Sequence, residues 1–205
     1  MLQNPKFATD DPAALRALVD GYPWATLVSS ADTGLAASHY PMLWEDRGDD
    51  AISLVTHLGR PDELNHRLDG SDVLVIVQGP HAYISTSWYP EGQFVPTWNH
   101  VSAHLTCRPE VLSPEENYAV LCRLVEHFEG TGEGARLLPA FDGPARAVAR
   151  GTVGVRLHVQ SFRMVAKLSQ NKPPEVVERL VEELEQRPFD LHAALAAEMR
   201  RANLA

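Results

Sequence analysis

VLVIVQGPHAYISTSWYP (73–90) and, after a short loop, TWNHVSAHLTCRPEVL (97–112) decide how the chain reads. VLVIVQ (73–78) is an apolar run of the buried-strand type. Gly79-Pro80 breaks it, HAYIST (81–86) resumes as strand, and WYPEGQFVP (88–96) is a loop of turn formers. Residues 97–112 follow as one long strand. Toward the N-terminus, WATLVSS (24–30), a turn at Ala31–Gly34 and LAASHYPMLWE (35–45) read as a hairpin. DRGDD (46–50) is a second turn and AISLVTH (51–57) a third strand. Toward the C-terminus, GVRLHVQSFRMVAKLS (154–169) alternates like a strand. Six or seven strands joined by hairpin-length links favour antiparallel pairing. The expected class is therefore α+β, with an antiparallel β-barrel and peripheral helices.

The helices are few and well marked. The first is capped by Thr9 or Asp10, has Pro12 in its first turn, buries Leu15, Leu18 and Val19, and ends at Gly21. PDELNHRL (61–68) is a short helix opened by Pro61. Ser113 and Glu116 form a capping box around Pro114, and the helix they start runs to about His127, burying Val120, Leu121, Leu124 and Val125. EGTGEG (129–134) is a connection, and a short helix follows Gly143-Pro144. Two helices end the chain, one carrying Val176, Val177, Leu180, Val181 and Leu184, the other Leu191, Leu195 and Met199, with Pro188 between them.

The whole chain has 205 residues, 44% hydrophobic and 22% charged, which suits one folded domain with an appendage. No apolar run has the length of a membrane span. The start, MLQNPKFATDDP, lacks the basic and apolar segments of a secretory leader, and two cysteines make no disulfide framework, so a cytoplasmic setting is expected. With 27 acidic and 18 basic residues the net charge is −9, which argues against general nucleic-acid binding. Residues 135–172 depart from this balance. They hold Arg136, Arg146, Arg150, Arg156, Arg163, Lys167 and Lys172 against the single acid Asp142. They read either as a solvated face pairing with the acidic C-terminal helix or as an anion site, and spacing alone favours the first.

Metal and nucleotide motifs are missing: HExxH, paired-cysteine zinc spacing, the P-loop, GxGxxG and GxSxG are all absent. His100 and His104 lie four apart in a strand, a separation of ~13 Å that one ion cannot bridge. Cys107 reads as a buried, inert thiol. What remains gathers at strand ends. LVTHLGR (54–60) ends a strand on Thr56 and His57 and places Arg60 at a helix start, which suits a phosphate as well as it suits a plain cap with a surface arginine. Trp88, Tyr89 and Trp98 are set among Ser85, Ser87, Thr97 and Asn99, too many hydroxyls and amides for a core strand. They suit a flat ligand with polar edges. KLSQNK (167–172) is either a helix-entry turn capped by Asn171 or a further piece of such a site.

VLVIVQGPHAYISTSWYP (73–90), VPTWNHVSAHLT (95–106) and KLSQNK (167–172), with FATDDPAALRALVDGYPWATLVSS (7–30) and SHYPM (38–42), resemble in order the signature blocks of the PaiB family of FMN-binding negative transcriptional regulators. The resemblance covers roughly residues 7–172. It implies the split β-barrel of pyridoxamine-phosphate oxidases, working as a homodimer with FMN at the subunit interface. VTHLGRP (55–61) is similar to the phosphate-holding segment of those oxidases, with Pro61 where a lysine stands. By this resemblance Thr56, His57 and Arg60 serve the phosphate, and Lys167 or another basic residue of 135–172 supplies the missing charge. Gln78, Ser85 and Ser87 line the ribityl chain or ring edge, with Trp88 nearby. Thr97, Trp98 and Asn99 come from the facing strand, and Lys167, Ser169, Gln170 and Asn171 complete the pocket. Residues 1–172 would be the FMN-binding barrel and 173–205 a helical extension packed on it.

Three functions follow. The first is a flavin-binding regulator, although net charge does not support DNA as a direct partner of the barrel. The second is a flavin-dependent oxidoreductase, for which no residue forces a reaction; His39 or His57 could transfer a proton. The third is a split-barrel binder of haem or a deazaflavin. Trp88 and Trp98 are more apolar surface than one small barrel covers, which also points to a homodimer.

Overall fold

The strand pattern becomes an eight-stranded sheet in the computed structural model, which describes residues 4–32, 34–48, 51–68, 71–90, 95–130, 132–187 and 190–203. The strands are β1 (Ala8–Thr9), β2 (Trp24–Ala31), β3 (Gly34–Pro41), β4 (Leu43–Glu45), β5 (Ser53–Gly59), β6 (Val73–Ile84), β7 (Thr97–Val111) and β8 (Thr152–Lys167). The helices are α1 (Pro12–Gly21), α2 (Arg60–His66), α3 (Pro114–Glu129), α4 (Asp142–Ala149), α5 (Pro174–Glu185) and α6 (Asp190–Asn203). The expected turns and loops at Thr33, Asp49-Asp50, residues 91–94 and Thr131, and the separator Pro188, lie outside the described residues.

The sheet runs β3-β2-β6-β7-β8-β5-β4, with β1 added to β8. The β2–β3 hairpin pairs antiparallel from Trp24 with Pro41 to Ala31 with Gly34, and β5 pairs antiparallel with β8 from Ser53 with His158 to Gly59 with Thr152. β3 and β4 stand at opposite ends of this path, yet only the buried Met42 separates them. The expected strand over 35–45 is therefore interrupted at Met42, whose N–H bonds Pro23 O at 2.8 Å. There the chain passes from one sheet edge to the other. The Thr56 hydroxyl donates to Pro41 O at 2.7 Å, tying β5 to the end of β3.

Gly79-Pro80 does not break β6, contrary to the sequence reading. β2 pairs with β6 only along Leu74–Ile76, so that ladder ends before Pro80. Gly79 serves packing instead: a Cβ there would stand 2.6 Å from Leu18 Cδ1 and 3.3 Å from Val101 O. The capping box holds, with Glu116 N–H donating to Ser113 Oγ and Ser113 N–H to Glu116 Oε2. The α1 cap moves one residue, to Asp11, whose Oδ1 accepts from Ala13 N–H at 2.9 Å.

The chain forms two compact units. One gathers the residues up to Leu18, Gln78–Ala103 and Arg163 onward, and its apolar centre includes Leu15, Ile84, Leu180, Leu184, Leu195 and Met199. The other comprises Val19–Val77 and His104–Phe162. In it Leu43, Val55, Leu112, Val120 and Leu124 form one cluster, packing α3 against the sheet, with Leu27, Leu54 and Leu157 also fully buried. Alternation along β2 places Ala25, Leu27 and Ser29 inward, the pattern that fixes its register.

Candidate functional site

Thr56, His57 and Arg60 lie in the second unit, at the junction of β5 and α2. Thr56 is fully buried and its hydroxyl is engaged by Pro41 O, so its role is to close the strand end. His57 keeps Nδ1 buried without a hydrogen-bond partner, and burial lowers its pKa, which favours the neutral ring. The helix-start reading weakens. α2 has seven residues, Pro61 has no N–H to offer, and Arg60 N–H donates to Gly151 O at 3.0 Å. The Arg60 guanidinium remains. Its Nε donates to Arg150 O at 2.8 Å, and it lines a cavity of about 300 Å³ together with Asn117, Tyr118, Arg146, Arg150 and Thr152.

The other candidates all lie in the first unit. Gln78 is exposed on β6. Ser85 caps the short turn Thr86–Trp88, accepting from Ser87 N–H at 3.3 Å, and the two serine hydroxyls share a hydrogen bond of 2.9 Å. Trp88 is buried, with the Arg187 guanidinium 4.5 Å from its ring centre, so it is not surplus surface. Trp98 is different: it is 50% exposed on β7, stacked on His81 at 5.9 Å, with the half-exposed Tyr83 ring at 6.2 Å. Lys167 Nζ donates to the Thr97 hydroxyl beside it.

Asn99, Ser169 and Gln170 form a bracket. Asn99 is fully buried; its Nδ2 donates to Ser169 Oγ at 2.8 Å and lies 3.6 Å from Met199 Sδ, while its Oδ1 has no partner. Ser169 takes a left-handed φ of 67°. Gln170 accepts from Leu168 N–H and donates to Ala166 O. KLSQNK is therefore a tight turn held by its own side chains, and α5 begins without the expected Asn171 side-chain cap; Asn171 is exposed. The structure brings Thr97 to Lys167 and Asn99 to Ser169, while Trp98, between them on β7, takes the opposite sheet face beside His81 and Tyr83.

Sequence reasoning missed the histidines around this face. The pKa of His100 is lowered by burial and by the nearby Lys167 and His81, and that of Lys172 by burial and Lys167. Mutual repulsion of that kind marks converging cations. It also missed His66 of α2, which is buried with Nδ1 sharing a hydrogen bond with Ser29 Oγ at 2.7 Å and Nε2 with Ser38 Oγ at 2.9 Å. Burial lowers its pKa, partly opposed by Asp62. Only a register that places β2, β3 and α2 together could have revealed that contact.

Among the described residues, Arg146 and Arg156 of the basic stretch pair elsewhere than with the C-terminal helices. Arg156 is held by Glu45 at 2.7 Å and Glu110 at 3.1 Å, Arg146 by Asp142 at 2.9 Å, and Glu185 of α5 pairs with Arg200 of α6. The Arg156 partners sit on β7, next to β8, and on β4, two strands away in the sheet. Cys107 is buried, and burial pushes its thiol up to about 12, leaving it inert at neutral pH. Among the described residues no group of histidine, cysteine and carboxylate side chains could hold a metal, and no helix is long and apolar enough to cross a membrane.

Residues 1–161 match the family described as "Putative FMN-binding domain", and the chain belongs to that family. It is 28% identical over 164 residues to "Protease synthase and sporulation protein PAI 2" of Bacillus subtilis, covering 79% of this chain and 78% of that one. In structure it is similar to a FAD- and haem-binding protein from Mycobacterium smegmatis (TM-score 0.61, 18% identity, 83% of this chain and 78% of that one). It is equally similar to a flavocytochrome from Azotobacter vinelandii (TM-score 0.61, 15% identity, 80% and 72%). The fold is thus the antiparallel split β-barrel of flavin-binding proteins, and the chain is a PaiB-like member of that class.

Proposed function

We propose that the protein binds FMN in a homodimer and serves as a flavin-dependent regulator of the PaiB kind in the cytoplasm. One observation carries this reading: the half-exposed Trp98 ring on β7 is framed by the rings of His81 and Tyr83. A planar ring with polar edges is what such a face accepts.

Each unit, taken by itself, offers groups that suit one part of FMN. The Arg60 guanidinium, with no ion pair among the described residues, suits the phosphate. The hydroxyls of Ser85, Ser87 and Thr97 suit the ribityl chain and ring edge, with Gln78 and Asn171 exposed on the same unit. The orphaned Nδ1 of His57 suits a ligand donor. Asn99, Ser169 and Gln170 act one layer back, holding the turn from which Lys167 reaches Thr97. A bound flavin would supply electron or hydride transfer, and the surrounding residues would orient it and limit water. We further infer that residues 1–172 form the flavin-binding part and that 173–205 extend it.

The likeness to a FAD- and haem-binding protein makes FAD and haem the competing ligands. The test is the absorbance of the purified protein, mass identification of whatever chromophore it releases, and reconstitution of apo protein with FMN, FAD, riboflavin and haem. FMN binding that Trp98→Ala weakens supports the reading. A protein that takes up haem or FAD in preference to FMN overturns it.

A further inference from the structure

Taking Arg60 to face the flavin phosphate, we propose that Arg150, with Arg146 beside it, completes a phosphomonoester site in the cavity that Arg60 lines. The cavity measures about 300 Å³, the small end of ligand pockets, with room for a phosphate and a few attached carbons. Three arginines line it, against one carboxylate, Glu115. Arg146 is held by Asp142 through two contacts of 2.9 and 3.0 Å and lies 4.0 Å over the Tyr118 ring, so its charge is partly answered. Arg60 and Arg150 have no ion pair among the described residues, and their charges are left for a ligand.

The two guanidinium-bearing segments are fixed relative to each other. Arg60 Nε donates to Arg150 O and Arg60 N–H to Gly151 O, so the β5–α2 junction is pinned twice to the turn between α4 and β8. The cavity wall is equally rigid. Asn117 is buried, and its Nδ2 donates to Ala149 O at 3.2 Å and Thr152 Oγ1 at 3.0 Å. Arg150 is thus held at the end of α4 without freezing its own side chain. Two arginines carried on a pinned backbone can offer forked donors to phosphate oxygens, and the backbone that carries them needs no rearrangement when the ligand arrives. Lys167, the alternative source of this charge, is already engaged by Thr97 in the other unit.

The experiment uses full-length apo protein and four variants: Arg60→Ala, Arg150→Ala, Arg150→Lys and Arg146→Ala. FMN and riboflavin affinities are read by flavin fluorescence, and inorganic phosphate by the shift it gives the thermal midpoint. Arg150→Ala is expected to weaken FMN about ten- to a hundredfold and leave riboflavin unchanged, the loss typical of a charge-assisted contact. Inorganic phosphate should raise the midpoint of the wild type by mass action and fail to raise that of Arg150→Ala. Arg150→Lys should recover part of both effects. If Arg60→Ala discriminates FMN from riboflavin while Arg150→Ala and Arg146→Ala do not, the proposal falls and the flavin reading stands. If no form binds FMN yet phosphate still stabilises through Arg150, the flavin reading falls and the anion site stands.

Discussion

Gly154→Ala tests whether α3 rests on β8 as closely as the structure has it. A Cβ at Gly154 would lie 2.8 Å from Asn117 Cα, 3.1 Å from its Cβ and 3.2 Å from its Oδ1. The nearest of these is a backbone atom, so no rotamer change relieves the clash, and α3 or β8 must move. Overpacking of this kind costs about 1–3 kcal/mol. Against that, the lost freedom of the unfolded chain returns roughly 0.4–1 kcal/mol. With a mid-range overpacking cost of about 2 kcal/mol the net is a destabilisation of about 1–1.6 kcal/mol. For a chain of this size each kcal/mol is about 2–4 °C, so the thermal midpoint should fall by roughly 2–6 °C. Urea unfolding should show a lower midpoint with an unchanged slope, since the surface exposed on unfolding is the same. Gly21→Ala is the control: apart from its chain neighbours and its own helix backbone nothing lies within 4 Å of the added Cβ, it ends α1, and it should be neutral or stabilise by up to about 1 kcal/mol. Because Asn117 also braces Ala149 and Thr152, Gly154→Ala should weaken FMN more than riboflavin. A Gly154→Ala protein as stable as wild type in urea would refute the close approach and the rigid wall derived from it.

Other outcomes are equally open to measurement. Burial holds His57, His66, His100 and His104 below the ordinary 6.5, so the folded protein takes up protons less readily than the unfolded chain. Stability is then complete above that value and is lost as pH falls below it; urea midpoints at about pH 7.5 and about pH 5.5 should differ in that sense, His66→Gln should shrink the difference, and a flat profile counts against it. Asn99→Ala should cost about 1–3 kcal/mol by denaturation, because it removes the donor that holds buried Ser169, and a neutral result would show the bracket to be idle. With Trp24, Leu35, Tyr83, Val95 and Trp98 all exposed, light scattering should give twice the chain mass at micromolar concentration, and a monomer refutes the homodimer. If the protein binds DNA, that binding should depend on the 135–172 stretch and fall steeply with salt, by a log–log slope of about −0.9 per phosphate contacted; unchanged affinity in an Arg146→Glu/Arg150→Glu variant would show the basic stretch to be a bystander.

The fold was largely legible because its signals are local. The Ser113–Glu116 box, the alternation of β2 and the apolar stripes of α1 and α5 each need only their own neighbours. What misled was also local. Gly79-Pro80 reads as a break from dihedral preference alone, yet Gly79 is required by Leu18, some sixty residues earlier in the sequence, and strand β6 runs on through it. Met42 ends a strand because the sheet passes from one edge to the other there, which no window of sequence reveals. The candidate site divides in the same way. Residue type singled out Trp98, Lys167 and Arg60, but type could not say that Thr56 faces Pro41 or that Asn99 faces Ser169, because both contacts depend on which strands become neighbours.

The same distinction governs the charges. A net charge of −9 and a basic stretch of seven cations are sums over sequence, and neither predicts where an anion can sit. Arg156 is the most enclosed of those cations with a recorded ion pair. It is saturated, with Glu45 and Glu110 in contact and Glu116 3.7 Å away, and it adds rigidity without attracting a ligand. Arg146 is half-committed to Asp142. Arg150, unremarkable in the sequence, has its carbonyl engaged by Arg60 and lines the cavity. An acidic protein can therefore offer phosphate a site without any excess of basic residues, provided the carboxylates are placed to satisfy some arginines and leave others unanswered. Glu45 and Glu110 answer Arg156, and Asp142 partly answers Arg146. On the proposed site, reversing Glu45 or Glu110 would release a cation that does not line the cavity, whereas reversing Asp142 would release one that does, so the proposed site depends on which pairs form rather than on how many basic residues the stretch contains.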